Sequence, residues 1–125
     1  MSHLTNIGRV MVPVADQDAA IAFYVDRLEF TLVADVPFGK GERWVEVAPP
    51  TGGATLALVP ATEHYPTGRM TGVALGSSDP RSDHEELRAN GVDVDDAVMG
   101  GDVEVPLLFF FRDGDANQLM VVEER

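Results

Sequence analysis

Apolar residues alternate at period two over residues 7–14, with Val10, Val12 and Val14 on one face, and this alternation predicts a strand. Asp16 follows in the position of a helix N-cap. Ile21, Tyr24, Val25 and Leu28 then recur at i, i+3, i+4 and i+7, the stripe of a helix packed on a sheet. Residues 30–36 read as a strand, Phe38-Gly39-Lys40-Gly41 as a hairpin turn, and residues 43–47 as the partner strand. Pro49-Pro50-Thr51-Gly52-Gly53 interrupts the pattern before a fourth strand at 55–59.

Prolines, a glycine and polar residues between 60 and 69 mark a linker. Beyond it the order repeats. Residues 70–76 predict a strand, and Asp79-Pro80 opens a helix with an N-cap and a first-turn proline. That helix ends at Gly91. Val92 and Val94 begin a strand, Met99-Gly100-Gly101 a turn, residues 103–111 a long strand, Asp113–Asn117 a tight loop, and residues 119–122 a closing strand. Asp16 and Asp79 lie about half of the 125-residue chain apart. The expected architecture is therefore α+β, two tandem βαβββ modules at about 5–60 and 70–125 joined by a linker at 61–69 in a single domain. One face of each sheet is covered by a helix and the other is free to line a cavity.

Composition narrows the function. At 45% hydrophobic and 24% charged residues the chain can bury an ordinary core. A formal charge of −12, from 21 acidic and 9 basic residues, repels phosphate backbones and argues against nucleic acid as a partner. No run approaches the roughly 18 apolar residues of a membrane span. There is no cysteine, which removes disulfides and thiolate chemistry. Together with a start that lacks a signal-like pattern, this leads us to expect a cytoplasmic protein with no membrane partner.

Several of these segments carry a resemblance. Val12-Pro13-Val14-Ala15-Asp16, then Ala22-Phe23-Tyr24 and Leu28-Glu29-Phe30, resemble the "LPVSD…AFY…LGF" opening of the vicinal-oxygen-chelate superfamily. That group contains glyoxalase I, bleomycin-resistance proteins, fosfomycin-resistance transferases and extradiol dioxygenases. Glu86–Val92 is similar to its "ELRARGV", and Phe111–Asn117 resembles its "FRDPDGN" hairpin, so the likeness spans nearly the whole chain. Glu29 stands where that pattern has glycine, and Gly114 and Ala116 replace the hairpin's proline and glycine. Catalytic relatives hold a metal through histidine, glutamate or glutamine side chains on the strands. Carried over by position, those ligands fall on Arg9, Ala57, Gly72 and Met120. A guanidinium has no lone pair to offer, alanine and glycine have no donor, and a thioether suits soft metals only. The resemblance thus implies the fold with an empty metal site and no cofactor. His3, His64 and His84 form no ligand pair at helical spacing.

Strand alternation assigns Arg9, Met11, Ala57, Gly72, Ala74, Gly76 and Met120 to the free sheet faces. Small side chains leave room there, and methionines give adaptable apolar walls. Arg9 is expected to meet either a ligand oxyanion or an internal acid such as Glu46. Trp44 and Glu46 share a face of their strand, where Trp44 can stack on a planar ligand. The run Leu107–Phe111 is apolar on both faces, so alternate members are expected to face the helix and the cavity or a partner subunit; most of the phenylalanines are expected to be core, and Phe109 joins the ligand-binding candidates. His84 is expected on the exposed or half-buried side of its helix. The expected function is metal-independent small-molecule binding like that of the bleomycin-resistance branch, with a cationic or aromatic ligand and a homodimer. The competing expectation is a lyase, isomerase or dioxygenase with an unconventional metal site, or a metal-free enzyme with Arg9 and Glu46 as its charged groups.

Overall fold

A computed structural model gives the fold for residues 2–125. The chain divides into two compact units, Met1–Thr62 and Glu63–Arg125.

In the first unit β1 (Arg9–Val14) leads into α1 (Gln17–Ala22), followed by β2 (Thr31–Phe38), β3 (Glu42–Ala48) and β4 (Thr55–Pro60). Asp16 caps α1 through bonds from the Asp18 and Ala19 amides at 2.9 and 3.2 Å. The helix then widens into a π turn over Phe23–Arg27, where the Leu28 amide reaches back to the Phe23 carbonyl. The sheet order is β1-β4-β3-β2, with β1 parallel to β4 and the other pairs antiparallel. Gln17 ties helix to sheet by donating to the Arg43 and Leu58 carbonyls. Tyr24 is buried between Phe23 and Phe30, while Val12, Val14, Val45, Val47, Leu56 and Leu58 form the core beside it. On the edge strand β2, Asp35 joins Asp18 in holding the Arg43 guanidinium. The hydrogen bond from Arg43 keeps the Asp35 carboxyl below the usual carboxylate range.

The second unit repeats this order: β5 (Met70–Ser77), α2 (Pro80–Ala89), β6 (Asp93–Val94), β7 (Leu108–Arg112) and β8 (Gln118–Glu123), in the sheet order β5-β8-β7-β6. Position for position this is the topology of the first unit, so the repeat expected from the two helix caps is present in the fold. Asp79 caps α2 by accepting from the Ser82 amide, with Pro80 in the first turn. Arg112 of β7 is held by Asp93 and Asp95 as Arg43 is held by its two acids. Its hydrogen bond pulls the Asp93 carboxyl down likewise.

Three expectations change. The long strand at 103–111 shortens to Leu108–Arg112. The Asp102 carboxylate accepts from the Glu104 and Val105 amides, Arg125 donates to the Asp102 and Val103 carbonyls, and Pro106 has no amide to give a ladder. Phe38 belongs to β2, so the turn is Gly39-Lys40-Gly41. His84 is buried on α2, its Nε2 2.6 Å from the Asp95 carbonyl and its ring edge-on to Phe109.

Both departures from the family's glycine pattern fall at left-handed backbone. Glu29 has φ 61° and Ala116 φ 60°. A side chain there costs roughly 1–2 kcal/mol, partly offset by the greater unfolded-chain freedom of glycine, about 0.4–1 kcal/mol. Glu29→Gly and Ala116→Gly are each expected to stabilise the protein by about 0.5–1 kcal/mol in urea denaturation. A lower midpoint in either variant counts against strain at that position.

Candidate functional site

The face of the first sheet turned away from α1 is set by strand pairing. Met11 lies opposite Ala57, Ala57 opposite Glu46, Glu46 opposite Ala34, and Trp44 opposite Val36. Side chains alternate along a strand, so Arg9 and Met11 of β1, Thr55 and Ala57 of β4, Trp44 and Glu46 of β3, and Ala34, Val36 and Phe38 of β2 share this face. It has an apolar half and a polar half.

The apolar half centres on Trp44, the only tryptophan. Its ring lies 5.9 Å from that of Phe38, tilted by 53°. Phe38 is 55% exposed and Val36 50%, so two large apolar side chains stand in solvent beside the half-buried Trp44, whereas Met11, 52% exposed, lies on β1 in the row of Ala57 and Glu46. Phe38 and Val36 were legible as the continuation of the Ala34 alternation, but the glycines that follow drew Phe38 into the expected turn.

The polar half is the pair of Arg9 and Glu46, joined by a short hydrogen bond from Arg9 Nε to Glu46 Oε1. Thr55 Oγ1 donates to the same oxygen at 3.4 Å. Glu46 is buried, yet its side chain belongs to the open face, which is why it requires a cation beside it. The guanidinium comes from β1 and the carboxylate from β3, so the pair spans β4, where Ala57 presents only a methyl group. Ala57 itself is fully buried.

In the second unit Ala74 lies opposite Met120, and Met120 opposite Phe110. Ala74 and Gly72 are exposed and Met120 half-buried. Phe109 is corrected by one position. It lies opposite Val121 on the helix side, is fully buried against His84, and touches no open face. The phenylalanine on the open face is Phe110, because a single residue's shift along a strand reverses the side. His64 is exposed, and beside it the Tyr65 ring carries the Arg69 guanidinium 4.5 Å from its centroid.

The residues onto which the family resemblance carries the metal ligands do not fit a divalent ion. Arg9 is cationic and paired, and Ala57 has no donor. Gly72 sits at φ 75° where the β5–β8 register slips between Met70 and Ala74, a backbone that a histidine or glutamate would adopt only under strain. Met120 offers a thioether. Among the described residues, no group of three or more histidine, aspartate or glutamate side chains could hold a metal ion. No helix among them is long and apolar enough to cross a membrane.

Comparison with known proteins agrees with this architecture. The model of the Glyoxalase/Bleomycin resistance protein/Dioxygenase superfamily matches residues 6–121, and the chain belongs to that superfamily. It is similar to TnmS3, an antibiotic binding protein from Streptomyces sp. CB03234, whose crystal structure matches with a TM-score of 0.85 at 31% identity over 100% of both chains. A superfamily member from Sphaerobacter thermophilus DSM 20745 matches with a TM-score of 0.87 at 29% identity, covering 97% of this chain and 98% of that one. The uncharacterized protein YetH of Bacillus subtilis (strain 168) is 28% identical over 123 residues, 96% of this chain and 99% of YetH.

Proposed function

We propose that the protein binds and sequesters a small aromatic molecule without the help of a metal ion, on the sheet face that carries Trp44. The observation that carries this reading is the half-buried Trp44 with the exposed Phe38 and Val36 beside it, on the same sheet face as the Arg9–Glu46 pair. An aromatic floor with a few oriented polar groups is the usual make-up of a small-molecule site. The likeness to TnmS3, an antibiotic binding protein, supports the same reading. The homodimer implied by the family resemblance belongs to it too, and Leu32 and Val33, exposed on the edge strand β2, offer apolar surface for such a contact.

A metal-free enzyme that uses Arg9 and Glu46 as its charged groups is the second reading, because that pair sits on an accessible face. Its carboxylate Oε1 already accepts from Arg9 and Thr55, which favours a binding role over proton transfer.

Calorimetric titration with a panel of aromatic compounds tests the proposal. Trp44→Ala is expected to weaken every compound that binds by roughly tenfold or more, the size typical of a buried aromatic anchor, while lowering stability far less. Wild-type affinities in the variant, or no binding by any compound to the native protein, would contradict it.

A further inference from the structure

The polar half of the face decides which kind of aromatic molecule fits, and this deepens the binding reading above. Among the described residues, the Arg9 guanidinium makes one bond, from Nε to Glu46 Oε1. Its two terminal nitrogens have no partner among the described residues, and the side chain is 53% exposed. Glu46 is the opposite case. Its side chain is 10% exposed and its charge is matched by Arg9. The pair therefore turns an unused fork of N–H donors outward and keeps its acid covered.

We infer that this face takes a planar aromatic ligand bearing a carboxylate or comparable oxyanion, gripped by the free edge of Arg9, rather than an aromatic cation. A guanidinium presents its donors in a plane that matches two carboxylate oxygens at once. The arriving anion displaces nothing, because the Nε bond to Glu46 stays in place. A cation would have to compete with Arg9 for Glu46 and would meet a like charge while doing so. The spacing suits one ligand spanning both halves. Trp44 and Glu46 are two residues apart on β3, about 7 Å along the strand, and the bond to Glu46 brings the guanidinium to that end. A ring resting on Trp44 and Phe38 thus directs its substituent toward Arg9.

The formal charge of −12 argues for cations only at long range. Salt screens fields beyond about 8–10 Å at physiological ionic strength. The acidic surface therefore acts on the rate of encounter, while contact with Arg9 sets the affinity.

The test uses three probes of one shape: 2-naphthoate, 2-naphthalenemethanol and 2-naphthylmethylammonium, titrated by calorimetry into the full chain. The naphthoate is expected to bind tightest and the ammonium weakest. Arg9→Met is expected to lower naphthoate affinity roughly 10- to 100-fold, the scale of a lost charge-assisted hydrogen bond, and to leave the alcohol nearly unchanged. Because Arg9→Met strands Glu46, the double variant Arg9→Met/Glu46→Gln is measured beside it and is expected to lose the same preference. Glu46→Gln alone keeps the guanidinium and should keep the preference for naphthoate. Equal binding of the three probes, tighter binding of the ammonium, or a naphthoate preference that survives in the double variant overturns the inference and leaves aromatic binding standing. If none of the three binds, aromatic binding falls and the inference falls with it.

Discussion

Phe109→Ala is expected to lower the unfolding free energy by roughly 3–5 kcal/mol, the range for deleting a buried phenylalanine. Phe109 is fully buried, lies on the helix side of β7 opposite Val121, and supports the edge-on ring of His84. Its loss would remove the hydrophobic contact and one wall around the His84 imidazole, whose Nε2 faces the Asp95 carbonyl at 2.6 Å. Repacking is hindered because Phe111, Leu119 and Val121 are also fixed by strand pairing. Urea denaturation gives the value. The same variant separates core from site: its folded fraction should bind an aromatic ligand as tightly as the native protein. A change under about 1 kcal/mol, or a selective loss of ligand affinity, would return Phe109 to the binding surface.

The second large effect belongs to the hairpin after β7. Asn117 is fully buried, and its Oδ1 accepts from the amides of Gly68 and Arg69 at 3.0 and 3.3 Å. Its Nδ2 donates to Asp113 Oδ2, while Asp113 Oδ1 accepts from the Asp115 and Asn117 amides. One side chain thus ties the start of the second unit to its last hairpin. Asn117→Ala would remove the acceptor of the Gly68 and Arg69 amides and the donor to Asp113 Oδ2. Each such group costs about 1–3 kcal/mol when it stays out of water. Partial access of water lowers the total, so a loss of roughly 2–4 kcal/mol is expected by thermal or urea denaturation. A loss below about 1 kcal/mol would show that water replaces these bonds freely.

Much of the fold was legible because local chemistry and tertiary pairing agree. Asp16 and Asp79 are helix caps in the sequence and in the structure, and each opens the same βαβββ order. The likeness of the hairpin to the family pattern located Asp113 and Asn117 but not their bonds to each other and to Gly68 and Arg69, which join residues nearly fifty positions apart. The strand expected from 103 failed because the Asx turn at Asp102 takes up backbone amides and the clamp by Arg125 takes up backbone carbonyls, neither of which apolar patterning senses.

Which side chains share a sheet face was partly legible from strand alternation. Alternation grouped Arg9 with Met11 and Trp44 with Glu46, and the Arg9–Glu46 pair was one of two outcomes expected for that arginine. Phe109 was misplaced because Leu107–Phe111 is apolar on both faces, so hydrophobicity alone carries no parity. Only pairing with β8 shows that Phe109 faces the helix and Phe110 the other side. The aromatic partner of Trp44 was hidden for a different reason. Phe38 abuts Gly39, and turn chemistry outweighed the alternation that places it on β2.

We propose that binding depends on this face and on no metal ion. The most direct measurement is titration of the protein with an aromatic ligand after exhaustive treatment with EDTA, followed through the emission of Trp44, the only tryptophan. A saturable change in emission is expected, with the same dissociation constant before and after chelation. A response that EDTA abolishes and zinc or manganese restores would contradict it.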